Sequence, residues 1–188
     1  VVFDIRQASA WGNYPSRMSN SVNVTINNSQ LFTDAHDIDP ALTLDSMQGF
    51  VMRNTNLTSL AGDALYSFTL HAHDIDTSNL ADGLPIYYNH SLSNQVVLEN
   101  IDLRSTYGSV ICDGCSNVTY RNLNLSHEGI SLFGTTNSTF VNITVEASNS
   151  TALVVADKSL DNTFENLYMN ITTNNAYGFD LDDSSADF

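Results

Sequence analysis

The sequence predicts an all-β fold: a parallel β-solenoid of stacked β-arches, with roughly 23 residues in each turn. One observation is a phrase, apolar-x-apolar-x-Asn-apolar-x-apolar, that recurs four times between residues 94 and 169. Its asparagines are separated by 22, 20 and 24 residues, a period typical of solenoids. The other observation is composition. These windows are rich in Val, Thr, Tyr and Phe and are interrupted by Asn, Gly and Ser, which favours strands over amphipathic helices.

The asparagine of each phrase marks a bend. Apolar residues alternate on either side of it, but the step across it is three residues, as from Tyr120 to Leu123. A straight strand would expose half of that row, whereas a bend at Asn122 lets both halves face one interior. Asparagine suits the bend because it tolerates left-handed backbone angles. Stacked bends would place the amides one above another, so we predict a hydrogen-bonded asparagine ladder.

Weaker copies of the phrase extend the ladder towards residue 28. The complete predicted ladder has a mean step of 23 residues and comprises Asn28, Asn54, Asp74, Asn100, Asn122, Asn142 and Asn166. A second apolar segment follows each copy, so one turn reads as strand, bend, strand, loop, third strand, loop. We interpret residues 21–188 as a single β-solenoid domain. Residues 1–20 are interpreted as an N-terminal strand, a cap or a subunit-contact segment.

Charge restricts the possible partners. The chain has 21 acidic residues against 6 Lys and Arg, a net charge of −15. Nucleic acid and anionic membrane surfaces are therefore not expected to bind, because no basic surface can neutralise phosphates. Divalent cations and neutral glycans are compatible, and no cofactor is expected. No apolar run reaches the length of a membrane span.

Two features favour an extracellular location. The chain starts at Val1 rather than Met, which we interpret as a mature, exported product whose leader was removed; simple trimming is the alternative. It also contains ten Asn-x-Ser/Thr acceptor sites, about twice the number expected by chance. The preferred glycosylation candidates are Asn89, Asn149 and Asn170, since they lie outside the predicted ladder.

The two cysteines lie in the segment Cys112-Asp113-Gly114-Cys115. A four-residue turn centred on Asp-Gly brings its ends within disulfide reach. A local disulfide is therefore the leading interpretation in an exported protein, and an intermolecular bridge is the second.

Histidines are the candidates for binding a metal. His36 and His73 each precede an Asp-Ile-Asp sequence, and His71 shares a strand face with His73. Histidine and carboxylate at alternating positions can converge on an ion. The preferred interpretation is a repeated turn whose polar residues face solvent, because the two segments are 37 residues apart and do not match the repeat.

The sequence does not support a catalytic site. Solenoid hydrolases group two or three aspartates on one strand face. The only late group here is Asp180, Asp182 and Asp183. Arginines are scattered over predicted bends and loops. We therefore expect no enzyme activity.

The Asn-centred phrase resembles the parallel β-helix repeats of exported proteins, including carbohydrate-binding and NosD-like proteins, over about residues 21–182. Composition and architecture also resemble the sheath and surface-layer proteins of filamentous methanogenic archaea. This resemblance implies a structural, amyloid-like cell-surface protein. We expect its strand edges to pair with further copies of itself in an extracellular sheath or layer, since neither end of the solenoid shows a clear cap. The alternative is a monomeric β-helix that binds glycan or metal ions.

Overall fold

A computed structural model describes residues 2–5, 16–33, 40–60, 62–67, 73–147, 150–172 and 177–181. Within these ranges the chain forms strands and their connections and contains no helix. The strands stack into a β-solenoid of about six turns with about 23 residues per turn. The predicted fold class is confirmed.

Nineteen strands occur in the described residues. They are β1 Val2–Ile5, β2 Arg17–Ser19, β3 Thr25–Asn27, β4 Gln30–Thr33, β5 Leu42–Asp45, β6 Val51–Arg53, β7 Asn56–Ser59, β8 Leu65–Ser67, β9 Asp74–Ile75, β10 Leu80–Ala81, β11 Leu84–His90, β12 Ser93–Asp102, β13 Ser109–Asp113, β14 Ser116–Ser126, β15 Ile130–Phe133, β16 Thr139–Ala147, β17 Leu153–Ala156, β18 Thr163–Ile171 and β19 Asp180–Leu181.

The strands form four sheets. The long sheet has nine strands in the order β1-β4-β7-β10-β11-β13-β15-β17-β19. The ladder sheet has four, β12-β14-β16-β18, and the two short sheets are β2-β5-β8 and β3-β6-β9. Because β1 and β2 pair with β4 and β5, the stacked sheets extend into residues 1–20.

One pairing departs from the continuous parallel stack that the repeat predicts. β10 and β11 pair antiparallel, with Ala81 opposite Leu84. The two residues between them are Asp82 and Gly83, with φ of 50° and 86°. Asp-Gly is a preferred sequence for two-residue hairpins, because both positions need positive φ. The hairpin reverses the chain within the long sheet and separates an N-terminal half, up to residue 81, from a C-terminal half that begins at residue 84.

The long sheet is the central layer of the C-terminal half. All residues of β13, β15 and β17 are buried, so both faces of these strands are covered. On one face, Val110 and Leu132 pack with the ladder sheet. On the other face, Ile111 and Phe133 join the core of the N-terminal half. Strands covered on both faces are expected to be apolar throughout, which explains their nearly continuous Val, Ile and Leu content.

Direct contacts hold the two halves together. The rings of Tyr66 and Phe133 meet edge to face, with centroids 5.7 Å apart. The Ala64 amide donates a hydrogen bond to Glu128 Oε1, and the Thr151 amide donates to Asp63 Oδ1 at 3.3 Å. The N-terminal half therefore lies against the outer face of the long-sheet strands β13, β15 and β17, and the ladder sheet lies on the other side of these strands.

The close approach of successive turns predicts a difference between two glycine substitutions. Gly129 has φ of 63°, and a Cβ there would lie 2.0 Å from the Ala152 carbonyl oxygen. Gly83 also has positive φ, 86°, but a Cβ there meets nothing within 4 Å. We expect Gly83→Ala to lower the free energy of unfolding by about 1–2 kcal/mol through backbone strain alone. Gly129→Ala should cost roughly 2 kcal/mol more, because the turns must move apart. Urea denaturation measures both, and equal losses would contradict the predicted clash.

Candidate functional site: the asparagine ladder and the edges of its sheet

The ladder sheet bends at one asparagine in each strand. Asn100, Asn122, Asn142 and Asn166 have φ between 52° and 55°, in the left-handed region. Burial follows the parity change across the bend: in β14, Tyr120 and Leu123 are both buried although they are three positions apart. The bend therefore keeps apolar residues from both halves of the strand in one core.

The side chains at the bends form a ladder. Asn122 Nδ2 donates to Asn100 Oδ1 at 2.6 Å, Asn142 Nδ2 donates to Asn122 Oδ1 at 2.8 Å, and Asn166 Nδ2 donates to Asn142 Oδ1 at 3.0 Å. Each side chain donates towards β12 and accepts from the side of β18. The ladder is consequently directional, like the parallel strands that carry it.

The two ends of the ladder differ chemically. At the β12 end, Asn100 Nδ2 has no amide above it and donates to Glu99 Oε1 at 2.9 Å. At the β18 end, the described residues place no donor against Asn166 Oδ1. One end thus presents a donor group and the other an acceptor group.

A second row of left-handed residues lies at the start of the same strands, which the repeat analysis missed. Asn117 Nδ2 donates to Asn94 Oδ1 at 2.7 Å. Asn94, Asn117, Asn137 and Asp161 have φ between 50° and 54°. These positions are 23, 20 and 24 residues apart, nearly the ladder spacing, so a search for a second periodic Asn/Asp position would have found them.

Only two of the predicted N-terminal ladder residues lie at bends. Asn28 and Asn54 have φ of 49° and 48°. Asp74 does not occupy the corresponding bend: it lies in β9 opposite Val51 and forms an ion pair with Arg53. The bend comes later in the chain, where the backbone N–H of Asn54 donates a hydrogen bond to Ser78 Oγ at 2.9 Å. The prediction for Asp74 was wrong because Asp74 pairs with Val51, three positions before Asn54, so the predicted copy of the phrase was aligned too early in the chain.

Aromatic rings stack beneath the ladder. Tyr120 and Phe140 are nearly parallel with centroids 5.3 Å apart, and Phe140 and Phe164 are 5.1 Å apart. Parallel, in-register strands place the same position of each turn in one column, at strand spacing. The parallel stack ends at Phe164, because β18 is the last strand of the ladder sheet, and Phe179 meets the Phe164 ring edge to face with centroids 5.6 Å apart.

The outer edges of β12 and β18 pair with no strand in the described part of the chain. β12 has ten residues and exposes Val96 and Ile101 by 46% and 41%, and β18 exposes Tyr168 by 62%. β12 also contains a bulge, since its register shifts between Val96 and Leu98. Unpaired backbone beside exposed apolar side chains is the usual template for adding a strand.

The two cysteines form a disulfide, with an S–S distance of 2.12 Å. Both are buried, and Asp113 lies in the same turn with 1% of its surface exposed. The Tyr88 hydroxyl donates to Asp113 Oδ2, and His90 Nδ1 lies 3.8 Å from it. Burial raises the pKa of Asp113 to about 7, partly offset by the Tyr88 hydrogen bond.

Two further buried carboxyls lie where the halves meet. Burial raises the pKa of Asp63 to about 7, and the Thr151 amide opposes the shift. Burial also raises the pKa of Glu128 strongly, and the nearby Asp63 and Asp82 carboxyls add to the effect. No Lys or Arg is among the causes of these shifts, so the protonated forms are favoured in the folded protein.

The remaining candidates are dispersed. His73 is buried with its ring edge-on to Phe50 at 5.8 Å, while His36, His71, Asn149, Asp182 and Asp183 lie outside the described residues. Asp180 lies in β19. The Asn89 side-chain nitrogen is buried, whereas Asn170 is exposed on β18. Among the described residues, no group of three or more His, Cys, Asp or Glu is arranged to hold a metal ion. No helix there is long and apolar enough to cross a membrane.

The architecture defines the class: an all-β protein built as a parallel β-solenoid. Comparison with family models, curated proteins and solved structures finds no match to this chain. The resemblance to NosD-like repeats and to methanogen sheath proteins thus has no support beyond the fold, and function is argued from the geometry alone.

Two substitutions at Asn142 separate the ladder from the backbone bend. Asn142→Gly removes the amide but keeps the left-handed angle, so we expect a loss of about 1–2 kcal/mol in the free energy of unfolding from two lost hydrogen bonds. Asn142→Ala should cost about 1 kcal/mol more, because alanine disfavours that angle. Thermal or urea unfolding provides both values. If alanine is tolerated as well as glycine, the bend does not require an Asn-like backbone preference.

Stability should fall as pH rises. In the unfolded chain Asp63, Asp113 and Glu128 have ordinary pKa values near 4, and burial raises the pKa of all three in the folded state, so the folded state holds more protons above pH 4. The contribution of Asp63 and Asp113 is complete below pH 4 and is lost as pH rises through about 7. Urea midpoints between pH 4 and 8 should therefore decrease, and Asp113→Asn should flatten the slope. Asp102→Asn is the matched control, since Arg104 lowers the pKa of that exposed carboxyl. A stability that increases with pH would refute the assignment.

Proposed function

We propose that this chain is a structural protein of the cell surface, which assembles with copies of itself through its sheet edges into an extracellular sheath or layer. The observation that carries the proposal is the outer edge of β12. This strand lies in the middle of the chain, is ten residues long and leaves its outer backbone groups unpaired within the described structure. Long edge strands are normally covered or shortened in monomeric proteins.

The organisation of the C-terminal half supports a structural role. The ladder sheet repeats a single rung, with asparagine over asparagine and ring over ring, as do the cross-β assemblies that continue between molecules. The described residues contain no converging metal ligands. Non-enzymatic function is part of the proposal.

We also propose an extracellular location. The disulfide between Cys112 and Cys115 fits an oxidising compartment. Of the two glycosylation candidates within the described residues, Asn170 is exposed on β18 and is the accessible one, since the Asn89 side-chain nitrogen is buried. Divalent cations are proposed partners because the net charge of −15 would otherwise repel neighbouring copies.

Electron microscopy and sedimentation of the purified chain test self-assembly. We expect filaments, sheets or tubes well above the 20.6 kDa monomer. Ile101→Lys should abolish them, because it places a charge on the β12 edge. Val22→Lys is the matched control, since Val22 is also exposed but lies outside the ladder sheet. Circular dichroism checks that both variants fold. Monomers alone at every concentration, or equal assembly of the two variants, would contradict the proposal.

One observation favours a second candidate, glycan binding by a monomer. A cleft of about 430 Å³ follows the bends of the N-terminal half. It is lined by Asn28, Ser29, Gln30, Asn54, Thr55, Asn56, Ser78 and Leu80. Neutral amides and hydroxyls suit a polyhydroxylated ligand, and Asn56 Oδ1 is buried there without a hydrogen-bond partner. Titration with soluble neutral oligosaccharides would detect such binding, and its loss in Gln30→Ala would locate it.

A further inference from the structure

We infer that assembly is polar and head to tail: β18 of one molecule pairs in parallel with β12 of the next, in the register that already joins the strands of the ladder sheet. This inference rests on the proposed self-assembly. It adds the identity of the two joined edges, their direction and their alignment.

The direction follows from the asparagine ladder. Inside the molecule each amide donates towards β12 and accepts from the side of β18. Asn100 therefore presents its Nδ2 group outward, where no ladder acceptor exists, and Asn166 presents Oδ1 outward at the other end. Parallel pairing of β18 with β12 brings this donor to this acceptor. Pairing two β12 edges would instead oppose two donors, and pairing two β18 edges would oppose two acceptors.

The alignment follows from the internal register. Ile143 pairs with Leu167 across β16 and β18, and Ile101 pairs with Leu123 across β12 and β14. Continuing the same register places Leu167 opposite Ile101, so the exposed Ile101 side chain becomes covered. Phe164 then stacks on Leu98, which lies in the column of Tyr120 and Phe140, once Phe179 has moved away from the Phe164 ring. The junction would thus repeat the packing within the sheet.

The N-terminal half leaves the β12 edge open. Apart from the β10–β11 hairpin, it contacts the outer face of the C-terminal strands of the long sheet, through Ala64 at Glu128 and Tyr66 at Phe133, on the side away from the ladder sheet. β19 is different, because it extends the long sheet one strand beyond β18. It occupies the place that β11 of the next molecule would take. Two residue pairs join it to β17, the Ala152 amide donates to the Tyr177 carbonyl, and Phe179 packs edge to face on Phe164. Joining both sheets therefore requires β19 to leave.

One row of the junction is repulsive. The same register places Glu165 opposite Glu99, whose charge is already balanced by Arg121 at 2.7 Å. Each junction then gains one uncompensated carboxylate, and like charges directly opposite each other oppose strand pairing. We expect Glu165→Gln to lower the concentration at which assembly begins.

Two isoelectronic substitutions test the direction of the ladder. Asn100→Asp keeps the acceptor for Asn122 but loses the outward donor, so the concentration needed for assembly should rise about tenfold or more. Asn166→Asp keeps the outward acceptor and loses only an internal donor. It should therefore assemble close to the wild-type concentration while unfolding somewhat more easily. Both variants add one negative charge next to a glutamate, Glu99 or Glu165, and both lose one internal hydrogen bond, so these changes alone predict equal effects. Equal effects, or the reverse order, would overturn the inference even if the wild type assembles.

Cross-linking tests which edges meet. Asp102 and Tyr168 occupy the same row on β12 and β18, three strands apart within one molecule. A mixture of Asp102→Cys and Tyr168→Cys proteins should give dimers with a short thiol cross-linker, whereas each variant alone should give none. Dimers of Tyr168→Cys alone would show that β18 edges pair with each other. Assembly without cross-links would refute the proposed register but leave self-assembly standing, and failure of the wild type to assemble would remove both proposals.

Discussion

The left-handed asparagine at each bend of the ladder sheet is the constraint on which the rest of the C-terminal half depends. It changes the parity of the strand, so that Tyr120 and Leu123 enter the same core. It also projects a planar amide at strand spacing, where each side chain can donate to the one before it. A residue with β-preferring backbone angles would straighten the strand and expose half of its apolar row. Three features therefore depend on asparagine at this one position of each strand. They are the left-handed bend, the burial of apolar residues from both halves of the strand, and the exposed ladder of hydrogen bonds.

The C-terminal half combines this repetition with an acidic interior. Asp113 and Glu128 are buried beside other carboxyls rather than beside arginines, so the folded protein stores protons that the unfolded chain releases at neutral pH. The cations lie outside: Arg104 is near Asp102, and Arg121 is near Glu99. Ionisation of these carboxyls therefore lowers the stability of the folded protein as pH rises. The excess negative charge on the surface limits association until it is screened or neutralised.

The features that could be predicted from the sequence are those that repeat with a fixed period. The period of Asn100, Asn122, Asn142 and Asn166 was sufficient to predict strands, bends and the parity change, because those depend on local preference and alternation. It did not place the bend of the third turn, because that copy of the phrase is degenerate and Asp74 pairs with Val51 rather than with Asn54. The sequence also did not predict the chain reversal at Asp82-Gly83 or the contact of Ala64 with Glu128, because contacts between distant parts of the chain leave no periodic signal. The second row of side-chain amides, at Asn94 and Asn117, could have been predicted from its spacing but was not.

The hairpin at Asp82-Gly83 has a consequence for how the chain acquires its structure. Rungs of the ladder sheet join residues 20 to 24 positions apart, whereas the contacts between halves span 64 and 88 positions. Closing short loops costs less entropy than closing long ones. We therefore expect the C-terminal turns to form successively, each on the one before, and the N-terminal half to dock afterwards. Until that docking, the apolar outer faces of β13 and β15 are bare. During synthesis the N-terminal half, which covers those faces, is made first, and this order shortens the time for which the faces are exposed to water.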